Sequence, residues 1–360
     1  MSVKGGGERV AIHSMLAGLR AGYSVSLVSE AFDADDFEDF FGCQGLMSKV
    51  NWIQYPAFTP KLKKSLLLYQ RLVYHGSSIR RVLSHRADFD LVLGTQDVGY
   101  VPSVRIPVIQ YCYFPEYFSH LEARPESSLW RLYYWPASRL YRSKVARVSR
   151  LLATSNYTQG FVKSKWGRDS ETLYPPCPTE LYSSRILPKE DMVITVGRIV
   201  PEKRMNLFIE IARKLPTCRF VVVGSIDEQR SEYYASLKRT ATSNVSFVLS
   251  PLRKAWELLA RSKVYVHCTL NEHFGITVVE AMAAGCVPVV HDSGGPKEIV
   301  PSQVGYRWTN TQDAADRISD LLRNDGLRRR LAVEASRRAE IFGTEAFEAN
   351  MSRILQQYLK

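Results

Sequence analysis

No run of apolar residues in this chain approaches the ~20 that a membrane-crossing helix needs, and no charged-then-apolar leader opens it. The expected location is the cytoplasm, with at most a peripheral contact at the inner face of a membrane. Cysteine is sparse and scattered: Cys43, Cys112, Cys177, Cys218, Cys268 and Cys286 form no CxxC and no Cys/His pairing. They read as reduced, mostly buried thiols, and no metal site is expected. Acidic residues are the minority charge, 36 against 48 Lys and Arg, which leaves a formal net charge of +12. That sign favours a polyanionic partner or surface. The excess is concentrated, since Lys61 to Arg150 holds 15 basic and 6 acidic residues. A solvated basic face accounts for most such imbalances.

What is present is 45% hydrophobic and 23% charged, the balance of a folded globular chain. At 360 residues it exceeds one ordinary core, so two domains are expected. Period-2 and period-3.6 segments alternate throughout, the pattern of a parallel α/β fold. Strand candidates in the first half are residues 23–29, 49–54, 89–95, 105–111, 150–155 and 171–176. The polar, proline-containing LYSSRILPKED (181–191) reads as a linker, after which strands recur at 191–198, 218–225, 244–250, 263–268 and 286–292. The predicted domains are 1–183 and 184–340, both parallel-sheet units, facing a cleft at the carboxyl ends of their strands where such sheets bind ligands. Residues 341–360 read as a helix broken at Gly343. At the other end, the glycine-rich turn and helix begin at residue 5, although strands run ~5–6 residues and one normally precedes such a turn. The first strand of the first domain is therefore expected to be missing.

NEHFGITVVEAMAAGCVPVVHDSGGPKEIV (271–300) holds the densest chemistry. KVYVHC ahead of it reads as a buried strand, ITVVEAMAA as a short helix stopped by Gly285, and CVPVVHD as the next strand. A right-handed crossover puts that helix's N-terminus at the carboxyl edge of the sheet. Amides of Phe274, Gly275 and Ile276 then offer an anion site. Glu272 lies just before the terminus and Glu280 one turn inside, as hydroxyl acceptors on either side of a phosphate. Two glutamates eight apart near a helix start are also commonplace. VITVGRIVPEKRMNLFIEIARKL (193–215) adds Arg198 and Lys203 at another strand end, suited to a diphosphate, or else simply two exposed loop cations. Gly294 and Gly295 allow close backbone approach to a ligand, or serve a tight turn. Gly5, Gly6 and Gly7 suggest amides reaching phosphate or acceptor from the other domain.

Together these segments resemble glycosyltransferase family 4, the retaining GT-B enzymes, over nearly the whole chain. Within it, NEHFGI…VVEAMAAG…VVHDSGGPKEIV, YPPC and GGGERV are similar to the α-1,2-mannosyltransferases that extend dolichol-linked oligosaccharide. The resemblance implies two Rossmann-like domains across a cleft, with the last helix crossing back so that Tyr358 and Leu359 join the first core. It implies a catalytic Glu272 at the donor hexose, Glu280 on the ribose, Arg198 and Lys203 on the diphosphate, and Gly5 to Gly7 closing on donor and acceptor. It further implies a nucleotide-sugar donor, GDP-mannose above others, a glycan or lipid-linked acceptor, and no metal or other cofactor. One departure stands out. Relatives often carry Y-x-H-x-P, its histidine contacting the donor sugar, where this chain has YCYFP (111–115), so the resemblance puts Tyr113 at that catalytic position, where a phenol cannot become cationic near neutral pH. His120 is the nearby alternative.

Segments 56–86 and 125–150 interleave arginines and lysines with leucines and aromatics, including Trp130, Tyr133, Tyr134 and Trp135. Such a mixture suits an anionic bilayer interface, at ~1 kcal/mol per cation, or an amphipathic helix packed on its own sheet. A nucleic-acid partner is not expected, since no binding fold for one is recognisable. Rivals to the glycosyltransferase reading are a GT-B nucleotide-sugar epimerase and a catalytically silent binding subunit.

Overall fold

The computed structural model describes residues 5–61, 66–84, 89–115, 128–184, 187–226, 231–249 and 255–359. Two compact units emerge, residues 1–176 with 347–360, and residues 177–346.

Unit 1 runs α1 (Gly6–Arg20), β1 (Ser26–Glu30), α2 (Ala34–Phe41), β2 (Asn51–Tyr55), α3 (Leu67–Ser84) and β3 (Val92–Gly94). It continues through β4 (Val108–Cys112), α4 (Ser128–Ala146), β5 (Arg150–Ala153), α5 (Asn156–Phe161) and β6 (Glu171–Thr172). All of its strand pairs are parallel, yet they form two sheets: β1 with β2, and β3-β4-β5-β6 in that order. Among the described residues no strand precedes α1. The segment VIQYC of β4 is buried at every position, as befits a central parallel strand with both faces covered. His120 lies outside the described residues.

Unit 2 runs α6 (Thr179–Ser183), β7 (Glu190–Val196), α7 (Met205–Lys214), β8 (Arg219–Gly224), α8 (Ser231–Thr240), β9 (Val245–Leu249) and α9 (Trp256–Arg261). Then come β10 (Ser262–His267), α10 (Ile276–Ala283), β11 (Val287–His291), α11 (Pro296–Ile299), β12 (Tyr306–Trp308), α12 (Thr311–Arg323) and α13 (Asp325–Ala339). Its six strands form one sheet in the order β12-β11-β10-β7-β8-β9, with every pair parallel. The short β12 was not apparent in the sequence because YRW offers three residues and no alternation. The sheet is covered by amphipathic helices. Met205, Phe208, Ile209 and Ala212 of α7, at helical spacing, bury against Phe220, Val264 and Ile318. The order reverses direction at β7 and β10, which are neighbours in space though about seventy residues apart. That reversal opens a crevice outside their carboxyl ends, where doubly wound sheets bind ligands.

A last helix, α14 (Thr344–Gln356), belongs to unit 1 for nearly its whole length. Phe347, Met351, Ile354 and Leu355 pack with Val10, Ala17, Ile109 and Tyr111. Glu348, buried in this apolar contact, lies 2.6 Å from His13 Nδ1 and 2.9 Å from the Arg20 guanidinium, and the Arg20 charge offsets part of the cost of burying a carboxylate. Tyr358 packs against the same core, but Leu359 is 46% exposed and takes no part in it, because the helix has ended and its side chain faces water. Met351→Ala is expected to cost ~2–5 kcal/mol through the cavity it leaves. Urea unfolding should show the loss in unit 1, while the transition reported by the buried Trp308 of unit 2 stays in place.

Candidate active site

Three loops meet outside the β7–β10 crevice, following β7, β10 and β11. After β7 the chain passes Gly197 and Arg198 into a 3-10 turn, Pro201–Lys203, and enters α7 through Arg204 with φ of 51°. After β10, Asn271 also takes φ of 51° before the loop reaches Gly275 and α10. A left-handed conformation costs a non-glycine residue roughly 1–2 kcal/mol, and such strain gathers where function dictates backbone shape. Two of the three described residues of this kind flank this site, the third being Leu66. The sequence carried no sign of either.

Lys203 Nζ forms a charged hydrogen bond with Glu272 Oε2, tying the β7 loop to the β10 loop. Both side chains are partly exposed, at 28% and 20%, and pairs of that kind contribute about 1 kcal/mol or less to stability. Stability is a poor reason for the arrangement; a charged crevice is a better one. His267 at the end of β10 places Nε2 3.7 Å from the same Oε2, longer than a hydrogen bond but close enough for its N–H dipole to face the carboxylate. Its Nδ1 lies 3.2 Å from the Tyr265 hydroxyl, which lies 2.8 Å from Thr277 Oγ1 on the first turn of α10. The carboxylate at Nε2 selects the tautomer protonated there, so the donors run Thr277 to Tyr265 to His267 towards Glu272.

Electrostatics agree with that chain. Burial pushes the Glu272 carboxyl up, but His267 and the Lys203 ammonium outweigh it and hold the group far below the ordinary carboxylate range. Burial and the Lys203 charge keep His267 neutral near pH 7, with Glu272 opposing them. Burial, and then the charges of Glu280 and Glu272, push the Tyr265 phenol up against the Thr277 hydrogen bond. Glu280 is itself buried in a helix otherwise closed by Val278, Val279, Ala281 and Met282. Arg198 is exposed, two residues past the end of β7.

Gly275, with φ of 109°, caps α10, and a Cβ there would crowd Pro296 at 3.3 Å. Phe274 is buried, packing edge-on to Phe342, so its side chain anchors the loop while Ile276 starts the helix. Gly294 and Gly295 lie against the Glu272 loop: Gly295 N donates to Glu272 O at 2.7 Å, and a Cβ on Gly294 would fall 2.4 Å from that oxygen. Ser293 Oγ accepts from Asn271 N and meets His291 Nδ1, each at 2.9 Å, which fixes the loops further. The close approach these glycines allow is thus to the backbone that presents Glu272. In unit 1, Gly5 caps α1 with its amide on Glu8 Oε2 at 3.0 Å, whereas Gly6 and Gly7 are already in its first turn. Tyr113 OH donates to Gly7 O at 3.1 Å, joining two of the residues singled out in that half. Among the described residues, no group of three or more His, Cys, Asp or Glu is placed to hold a metal ion.

Residues 180–350 match the family model described as glycosyl transferases group 1. The matched segment is similar to the glycosyltransferases that this model describes. It coincides closely with unit 2 and contains every residue of the crevice. The chain is 26% identical over 259 residues to the human GDP-Man:Man(3)GlcNAc(2)-PP-Dol alpha-1,2-mannosyltransferase, covering 64% of this chain and 52% of that one. The Yarrowia lipolytica protein of the same name is 28% identical over 245 residues, covering 57% and 39%. The chain thus spans about half the length, or less, of these curated relatives. By structure it superposes on Anabaena Alr3699/HepE in complex with UDP, with a TM-score of 0.73, 17% identity and 96% of each chain covered. WaaG, a glycosyltransferase involved in lipopolysaccharide biosynthesis, gives a TM-score of 0.71 at 16% identity, over 97% and 96% of the two chains. These likenesses establish the GT-B fold class for the two parallel-sheet units.

His267 was passed over in the sequence because KVYVHC reads as an apolar strand. The available signal was a histidine at that strand's end, five residues ahead of Glu272. The depressed carboxyl of Glu272 stabilises the folded state above the ordinary carboxylate range, and that contribution is lost as pH falls towards its folded value. Glu272→Gln should therefore melt lower than wild type at pH 7, with a clearly smaller gap at about pH 2.5, below the unfolded carboxyl's value. An equal gap at both pH values would show that Glu272 is not held ionised by its neighbours.

Proposed function

We propose that the chain is a retaining hexosyltransferase that moves mannose from GDP-mannose to a glycan or lipid-linked acceptor, forming an α-glycosidic bond. The observation that carries this reading is the Lys203–Glu272 pair at the mouth of α10, with Glu280 one turn inside. A nucleotide-sugar has the matching shape, hydroxyls on both sides of a diphosphate. Arg198, Lys203 and the free amides at Gly275 and Ile276 suit the diphosphate, Glu280 the ribose and Glu272 the hexose. The names of the curated relatives support GDP-mannose and a dolichol-linked acceptor, and the UDP complex of the Anabaena protein supports a nucleoside diphosphate.

In this reading, donor binding draws Lys203 from Glu272 onto phosphate. The carboxylate, still facing His267, is then free to accept a sugar hydroxyl. The bond from the anomeric carbon to the diphosphate oxygen breaks through an oxocarbenium-like state. The acceptor oxygen bonds to the same face of that carbon, and its proton passes to the departing diphosphate. Protein groups supply positioning and charge stabilisation, with two cations and a helix terminus on the leaving group, so the reaction as drawn requires no metal.

Calorimetric titration with GDP and with UDP tests the donor. Tighter binding of GDP, weakened in Glu280→Ala, is expected; a preference for UDP would keep the transferase and overturn the mannose assignment. Glu272→Ala should lower acceptor-dependent GDP release by about 10²–10³-fold with the fold retained, as for loss of a group aimed at the transition state. Unchanged turnover would remove Glu272 from the centre.

A lipid-linked acceptor places the enzyme at a bilayer. Leu129, Leu132 and Trp135, spaced along one stripe of α4, are 77%, 70% and 53% exposed. Arg131, Arg139 and Arg142 flank them, with Arg139 stacked over the Trp135 ring at 4.3 Å. This mixture suits an anionic interface. Among the described residues no helix is long and apolar enough to cross a membrane. Replacing all three apolar residues with serine should reduce co-sedimentation with phosphatidylglycerol vesicles at least tenfold while leaving GDP binding unchanged.

A further inference from the structure

Not every cation of unit 1 is matched by an acid. Arg150 and Lys163 each meet a carboxylate at ion-pair distance, whereas among the described residues Arg80, Arg105, Lys144 and Arg147 meet none. These four come from three places in the fold. Arg80 stands near the end of α3, Arg105 in the loop ahead of β4, and Lys144 and Arg147 at and just past the end of α4. Lys144 is only 8% exposed, and its Nζ donates to Val101 O. Arg147 donates to Ser103 Oγ in the same loop.

Burial, and then the charges of Arg147 and Arg80, pull the Lys144 ammonium below the ordinary lysine range. Asp90, the described acid nearest in sequence to this loop's neighbour Phe89, directs its charge at Tyr23. Like charges gathered round a buried ammonium cost stability unless an anion joins them.

A cavity of about 290 Å³ opens among these groups. Arg80, Arg105 and Ser103 line its polar part, and Leu83, Phe89, Pro102 and Ile106 its apolar part. It lies at the amino ends of β3 and β4, the edge opposite the one where parallel sheets bind ligands, so sugar transfer gives it no task.

We propose that this cavity binds a phosphate carried on an apolar chain, with its oxygens on Arg80 and Arg105, backed by Arg147 and Lys144, and its chain against Leu83, Phe89 and Ile106. Guanidinium forks match phosphate oxygens two at a time, and a phosphate monoester brings about two negative charges to offset the cations. The apolar wall accounts for the chain, since an inorganic anion would remove none of that surface from water. A lipid headgroup in a bilayer and a free amphiphilic phosphate present the same chemistry here.

Calorimetric titration of the full chain with dihexanoylphosphatidic acid, held below its micelle concentration, tests the site. Saturable binding is expected, at least ~10-fold weaker in Arg80→Glu and in Arg105→Glu through loss of charged hydrogen bonds. Arg239→Glu, the same charge change on α8 of unit 2, should bind as wild type does. Both cavity arginines are exposed, so their variants are expected to fold, and their melting temperatures check it. Vesicles of phosphatidic acid in phosphatidylcholine identify the source. Co-sedimentation lost in Arg105→Glu supports a bilayer headgroup, while unchanged co-sedimentation beside weakened monomer binding supports a free amphiphile. No binding, an equal loss in Arg239→Glu, or inorganic phosphate binding as tightly as the lipid would overturn the proposal. No nucleotide or acceptor enters these readouts, so failure here leaves the transferase reading intact.

Discussion

The direct neighbourhood of β7 and β10 is the constraint on which the functional half depends. Because these two strands are adjacent in space but far apart in sequence, their carboxyl ends bring Lys203 and Glu272 together from opposite sides of a reversal in strand order. Everything else at the site elaborates that meeting. The third loop, through Gly294 and Gly295, holds the Glu272 backbone at a distance no side chain at either position would permit. The buried run Thr277–Tyr265–His267 then orients a neutral imidazole towards the carboxylate. A rigid sheet supplies the precision, and the loops supply the chemistry.

The two halves are built to different standards. Unit 2 closes all six strands into one sheet under a continuous core from Val193 to Leu331. In unit 1, part of the core is supplied by α14, from the far end of the chain, whose apolar stripe sits on Val10, Ile109 and Tyr111 and whose Glu348 is matched by His13 and Arg20. Among the described residues, that same half has its strands in two separate sheets.

Most of the strands were legible because parallel, doubly covered strands read as short β-branched runs, such as MVITV and FVVVG. Glu272, Glu280, Arg198 and Lys203 were legible as candidates because their residue types and their places at strand ends carry chemical meaning. His267 was not, since one polar residue at the end of an apolar strand is ordinarily a packed histidine. Asn271 and Arg204 were also invisible, because a left-handed backbone at a non-glycine residue leaves no mark in composition. The three-glycine stretch looked like a loop, but two of its residues are helical: the N-terminal turn tolerates glycine when Glu8 caps it.

By itself, the sequence determined the alternation of strand and helix, the two-unit plan and the identities of the charged groups at strand ends, because local periodicity and residue chemistry suffice for these. Only the tertiary structure decided which strand ends meet and that Glu272 is held ionised beside Lys203 and His267. Those outcomes depend on strand order and on contacts between residues tens of positions apart, which no local pattern encodes.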